Sequence, residues 1–412
     1  MKPLKMTLVM ILFTSLFFGA CENNTIVEPP IEGEEEESAF DMLWATRMNA
    51  ETEIVNLNNS KQYEEWLLYS GDLDEPPTIM AFNKDTGEKD WEYIHEGIVN
   101  DEIDVSTVFD NIYVGMCNSG IVGINLNTQT SMWEIDFKSL NITRGVKFDL
   151  YDGFLYFRSV WSVNTPVENT RLYKLNPHTG EINVTYQTSK GLISPPVFNQ
   201  KESDICVIIN GYPFENELPQ ESVQNLIKVD LESGKELWRT QVTSQFASNV
   251  GLPSVIYDNR IVITGGHNSI FGYDVYTGEL LWEYEDPNSL GFAQWADTNH
   301  LIHEDRLYVN ENAEEVTCLN PETGALIWNN PMGGANCTDN MIYYEKEDLL
   351  VFTSWGYGSV MVLDALSGKT VHRERKFDNS QYNNDVVYDE GRDMFFTTSF
   401  KHAIGFKVKR PE

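Results

Sequence analysis

Apolar and polar positions along this chain fall into short alternating runs, and the runs recur in one phrase. An apolar strand leads into a turn of the form Asp/Asn-x-x-Thr/Ser-Gly, and a Trp follows about four residues later. The clearest copies are IMAFNKDTGEKDW (79–91), LIKVDLESGKELW (226–238), IFGYDVYTGELLW (270–282) and VTCLNPETGALIW (316–328). Weaker copies are IVGINLNTQTSMW (121–133), LYKLNPHTGEINV (172–184) and VMVLDALSGKTVH (360–372). The turn positions Gly87, Gln129, Gly180, Gly234, Gly278, Gly324 and Gly368 lie 42 to 54 residues apart. A strand-built repeat of that period indicates a propeller or a related array, because one repeat cannot bury its apolar face without a neighbour.

Residues 251–285 show the predicted unit. LPSVIYD, IVITG, SIFGYDV and LLWEYE read as four strands, separated by turn residues such as Asp258-Asn259 and Thr277-Gly278. Val, Ile, Tyr, Phe and Trp enrichment between turn signals supports antiparallel strands. Segments 302–328 and 341–372 repeat the order. The chain ends differ. DVVYDEGRDMFFTTSFKHAIGFKV (385–408) holds three strands and stops, while DMLWATRM (41–48) resembles a fourth strand with nothing before it. The economical solution is an all-β, eight-bladed β-propeller of four-stranded antiparallel blades, the last blade closed by the N-terminal strand. Closure of this kind removes free sheet edges.

The repeat has physical causes. Gly tolerates positive φ at the turn, and the preceding hydroxyl bonds local backbone. Trp44, Trp91, Trp133, Trp238, Trp282 and Trp328 occupy one point of each outer strand, where an indole packs between blades. Blades three and seven lack the Trp, having Val184 or Tyr186 and His372 there, so weaker contacts are expected.

Charge narrows the function. With 29 basic against 63 acidic residues, the net charge is −34, which excludes nucleic-acid binding through phosphate neutralisation. The N-terminus begins with Lys2 and Lys5, followed by an apolar run at 6–18 and then FGAC (18–21). A run of thirteen residues is too short to span a bilayer, which needs roughly 20, so an export signal is predicted. Gly19-Ala20-Cys21 resembles a bacterial lipobox, with Phe18 in place of the usual Leu. The predicted organisation is a lipoprotein signal peptide at 1–20, lipidation at Cys21, and a disordered acidic tether at 21–39. A propeller at 40–408 and a short tail at 409–412 complete it. Lipid anchoring places the protein in the bacterial cell envelope, most simply at the outer membrane.

Candidate chemistry is sparse. Cys117, Cys206, Cys318 and Cys337 lie in or beside predicted strands with no CxxC. They read as small buried hydrophobes, although export permits disulfides. No G-x-S-x-G or H-E-x-x-H occurs. His300 and His303 stand three apart on a strand and so face opposite sides. Asp72 and Asp74 alone do not make a calcium site. The long connections between second and third strands (71–77, 159–170, 211–225) and between blades (287–295) should share one face. That face carries Trp161, Tyr212, Phe214, Phe292, Trp295, Trp355 and Tyr357. Aromatic side chains on loops suit recognition of a protein or glycan, and local packing to hold the loops is the structural alternative.

The repeat resembles the pyrroloquinoline-quinone-like (PQQ-like) propeller family, over essentially the whole chain beyond the tether. That family includes quinoprotein dehydrogenases and BamB-like lipoproteins of the β-barrel assembly machine. The dehydrogenases usually carry a vicinal Cys pair, a calcium-bound quinone and a catalytic Asp in a longer chain. No two Cys are adjacent here, so the resemblance implies the BamB-like branch, with no PQQ, calcium or other metal expected. The reading is a non-catalytic, membrane-anchored binding or scaffold lipoprotein, a single monomeric propeller. Its loop face would engage a protein, as in outer-membrane assembly, or a polysaccharide. The alternative is an exported quinoprotein-type oxidoreductase.

Overall fold

The computed structural model describes residues 39–48, 58–70, 78–99, 103–142, 144–160, 170–188, 191–211, 224–242, 254–265, 269–285, 300–310, 315–331, 341–354, 358–375, 377–382 and 384–410. Their strands form eight separate antiparallel sheets. Seven sheets follow sequence order, as in blade 5, where Val255–Tyr257, Ile261–Gly265, Ser269–Asp274 and Leu280–Glu285 pair in succession. The eighth joins Val387–Asp389, Met394–Thr398 and His402–Val408 to the N-terminal strand Phe40–Arg47. Phe40 pairs with Val408, Trp44 with Gly405 and Arg47 with His402. The ring therefore closes as the strand count at the two ends predicts.

Blade 4 departs from the pattern. Its innermost strand is split into Leu192–Ile193 and Val197–Phe198, both pairing with Ile205–Gly211. Pro195 and Pro196 fall at the break, where two missing N–H donors interrupt a ladder. A single helical turn, Phe137–Leu140, follows the outer strand of blade 2, capped by the Asp136 carboxylate at the Lys138 N–H.

Every outer strand carries a register shift beside the conserved phrase, in all eight blades. In blade 6, Cys318 pairs with Trp328 and Leu319 with Leu326, so Ile327 is the extra residue. Bulges re-aim side chains and disrupt pairing at an edge. Here the bulge turns the aromatic residue toward the next blade and leaves its predecessor outside, as with Leu43, Met132, Leu237, Leu281 and Ile327, all exposed.

Five tryptophans use that position in one way. The indole N–H of Trp44, Trp133, Trp238, Trp282 and Trp328 donates to the carbonyl of Lys84, Pro177, Val275, Pro321 and Ala365 respectively, at 2.9 to 3.1 Å. Each acceptor is the second residue of the next blade's turn. The turn itself is held by its first side chain. Asn320 Oδ1 accepts from the backbone N–H of Glu322 and of Thr323, while the Thr323 hydroxyl accepts from Ala325 N–H. Gly324 (φ +71°) lies against Trp282 so closely that an added Cβ would sit 2.5 Å from the indole.

The remaining seams differ, as the missing repeat residues predict for two of them. Between blades 3 and 4 the Tyr186 hydroxyl donates to Glu236 at 2.8 Å. Between blades 7 and 8 the His372 ring stacks on Phe40 at 6.0 Å. Between blades 1 and 2 the indole packs at the seam as expected, against a cluster drawn from both blades. Trp91 packs edge-on against Trp66 at 5.6 Å, and its indole nitrogen is buried with no hydrogen-bond partner among the described residues. The facing turn has Gln129, at φ +53°, where other turns have Gly. At a glycine-bearing turn such as that of Gly324, an added Cβ would meet the Trp282 indole at 2.5 Å.

The core lies between blades. One cluster joins Ile261, Ile263 and Ile270 of blade 5 to Leu307, Val309 and Leu319 of blade 6 across Trp282. Each such aliphatic side chain contributes about 1.5–3 kcal/mol when fully buried.

Candidate functional site

The antiparallel blades place their connections at two ends. At one end the second strand passes to the third, and each outer strand passes to the next blade. The strand ends that bracket the aromatic-rich segments belong there: Val160 and Arg171, Gly211 and Asn225, Ser354 and Ser359. Trp161, Tyr212, Phe214, Phe292, Trp295, Trp355 and Tyr357 themselves lie outside the described residues, as do Cys21, Asp72, Asp74 and Cys337.

Among described residues, the innermost strands of blades 3 to 6 enclose two adjoining open cavities. One of about 310 Å³ is lined by Lys147, Asp149, Tyr151, Ser254 and His300, with Pro195 and Pro196. The other, about 390 Å³, shares Val197, Phe198, Gln200 and Val255 and extends to Asp258, Asn259 and Ile302. The walls mix apolar and polar surface. Tyr151 and Phe198 stack at 4.3 Å with planes 5° apart, which fixes one side. Ser254 is almost fully buried, and its hydroxyl has no hydrogen-bond partner among the described residues.

His300 and His303 do not converge. His300 lines the cavity, whereas His303 stacks on Tyr343 at 3.7 Å. The cavity of about 310 Å³ offers one carboxylate, Asp149, and no group of three or more His, Cys, Asp or Glu among the described residues is placed to hold a metal ion. Calcium takes six to eight oxygen ligands, so the described donors do not fit the calcium of a quinone site.

Cys117, Cys206 and Cys318 are buried on three different blades. Burial pushes the Cys206 thiol far above its ordinary value. Burial also pushes the Cys318 thiol up to about 11, against the opposing effect of Arg306. Such thiols are poor nucleophiles at neutral pH.

The opposite end of the blades carries a feature that sequence reading passed over. The hairpin between first and second strands holds an acidic residue at positive φ in every blade: Glu64, Asp110, Asp152, Asp204, Asp258, Glu304, Asp348 and Asp393. Asp, with its short side chain, is enriched in that conformation. The signal was an acidic residue in the first turn of each repeat, hidden by turns of unequal length. Several of these carboxylates are engaged locally. Asp393 accepts from the hydroxyls of Tyr344 and Tyr388 at 2.9 and 2.8 Å and pairs with Lys346 at 2.9 Å. On the same face Lys84, nearly buried, bonds Asp389 at 2.8 Å, and Arg392 bonds Asp85 at 2.8 Å, tying blade 8 to blade 1.

The eight-bladed, Trp-latched propeller is similar in fold to PQQ-like repeat proteins, and the comparisons with known proteins point the same way. Residues 220–391 match the family model described as outer membrane protein assembly factor BamB. Among solved structures, BamB from Moraxella catarrhalis superposes with a TM-score of 0.62 at 11% identity, over 90% of this chain and 100% of that one. A quinohemoprotein alcohol dehydrogenase from Pseudomonas putida HK5 gives 0.62 at 10% identity, over 92% of this chain and 78% of that one. At such identities the likeness concerns the fold. Quinoprotein ethanol dehydrogenase of Pseudomonas putida is 29% identical over 83 residues, 19% of this chain. The chain spans only 13% of that relative's length in this match. Among the described residues no helix is long and apolar enough to cross a membrane.

Proposed function

We propose that this protein is a non-catalytic scaffold of the bacterial cell envelope, tethered by lipid at Cys21, whose loop face engages a protein partner. The observation that carries the reading is the family-model match over residues 220–391, described as outer membrane protein assembly factor BamB. This propeller also accounts for the whole of a BamB chain, with no part of that fold left over. The buried, raised Cys206 and Cys318 thiols add support, since neither is poised for redox or nucleophilic work. A monomeric propeller with aromatic loops at 159–170, 211–225 and 287–295 would present Trp161, Tyr212 and Trp295 to the partner, and outer-membrane assembly is the process this reading favours. Affinity capture of the full chain from envelope membranes tests it, with Trp161→Ala and Trp295→Ala as controls. Recovery of outer-membrane assembly components that is lost in those variants is the expected result. Equal recovery by all three proteins rejects the loop face.

The local match to quinoprotein ethanol dehydrogenase keeps one enzymatic reading in view, an exported quinone-dependent oxidoreductase. Dye reduction with an alcohol after incubation with PQQ and calcium would establish it. The scaffold reading expects none.

A further inference from the structure

Residues 377–382 link blade 7 to blade 8 and form a clasp over the ring closure. Phe377 and Ser380 exchange two backbone hydrogen bonds, of 3.1 and 2.8 Å. Tyr382 N–H donates to the Gly358 carbonyl of blade 7, and the Gln381 carbonyl accepts from Phe400 of blade 8. One residue beyond Phe400, the Lys401 carbonyl accepts from Met48 at the end of the N-terminal strand. The clasp, the last hairpin and the closing strand therefore meet at one place.

His402 sits at that junction. It pairs with Arg47 across the closing seam, is 8% exposed, and takes the edge of the Phe377 ring at 5.1 Å. Its Nε2 lies 3.9 Å from Asp378 Oδ2 on the clasp. Its Nδ1 is buried with no hydrogen-bond partner among the described residues. The charged groups acting on the ring are Asp378 on the clasp, Arg47 on the closing strand and Lys401 in the hairpin. We propose that His402 is an acid-sensitive latch: protonation of its imidazole releases the 377–382 clasp and loosens the seam between the first and last strands.

The geometry gives the direction. A protonated ring has an N–H at both nitrogens, and the one at Nδ1 would stand in a dry site with no acceptor. Arg47 and Lys401 oppose the added charge. Asp378 favours it, but its carboxylate is mostly exposed and so screened by solvent. Burial, first among these influences, holds the His402 pKa below the ordinary histidine value. Stability from the neutral ring is thus complete above about pH 6.5 and is lost as pH falls from there toward the folded-state value. Opening the clasp hydrates the ring without dismantling a blade.

Hydrogen exchange of the full chain tests this, read at the amides of Ser380, Tyr382 and Phe400 and corrected for the intrinsic rate. Between pH 7.5 and 5.5 the wild-type opening constant should rise severalfold, up to about tenfold, because one pH unit of that window lies below the value of a free histidine. In His402→Gln it should stay flat. An equal rise in both proteins overturns the latch. Nuclear magnetic resonance titration of the His402 ring needs no variant, and a midpoint at or above about 6.5 overturns it as well. Asp378→Asn, which removes the one favourable charge, should move that midpoint lower still.

Discussion

Trp282 and Trp91 hold the same place in the repeat, yet only Trp282 finds a carbonyl for its indole N–H. The difference predicts opposite responses to one substitution. Trp282→Phe removes a donor and leaves the Pro321 carbonyl unmatched, at a loss of about 1–3 kcal/mol. Trp91→Phe removes a donor that is already orphaned and should fall within about 0.5 kcal/mol of wild type. Trp282→Ala should cost about 3–5 kcal/mol through the cavity it leaves. Urea denaturation followed by fluorescence checks all three, and similar losses for the two Phe variants would refute the latch assignment. Sequence showed where the indoles stand but not which were satisfied. That depends on the neighbouring blade, whose turn carries Gln129 where the other turns carry Gly.

The turn that receives each indole is a self-contained element. Asn320, Thr323 and Gly324 each have a local task, and Gly324→Ala should destabilise by more than the roughly 1–2 kcal/mol of a positive-φ Cβ, because that carbon also meets Trp282. Thermal melts compare it directly with Gly153→Ala, whose added carbon meets nothing within 4 Å. The hairpin pairs behave as charged elements. Burial pushes the Asp389 carboxyl up, but hydrogen bonds from Lys84 and the Arg392 N–H, with their charges, bring it below the usual carboxylate range. Its contribution is therefore present above about pH 4 and lost as pH falls through the folded value. Asp389→Asn should cost about 3 kcal/mol at pH 7, where the nearly buried Lys84 loses its partner, and nothing near pH 2. A pH-independent loss in urea titrations would reject that pairing. Strand positions in blade 5 were legible because alternation and turn residues agree there. The broken inner strand of blade 4 was not, although Pro195-Pro196 marked it in plain view.

For the molecule as a whole, a net charge of −34 acts against compactness through self-repulsion. Raising ionic strength from about 0.01 to 0.5 M should lift the melting temperature of wild type, since the Debye length shrinks severalfold. A fall would mean that the inter-blade ion pairs outweigh the repulsion. The blade number was readable from two incomplete ends, 41–48 and 385–408, because four strands per repeat left one strand over at the N-terminus and three at the C-terminus. The binding face was far less readable. The aromatic candidates sit in connections whose composition does not encode a conformation, and the acidic hairpin ring is set by backbone angles no periodicity reveals.

Pairing of Phe40 with Val408 also sets an order of events during synthesis. The segment made early must wait, unsatisfied, until almost the entire polypeptide has emerged, and only then can the circle lock. Such distant partners make the final step slow, so a nascent copy spends its youth unfinished. Until its two extremities find each other, the open edge of that last sheet stays exposed to mispairing.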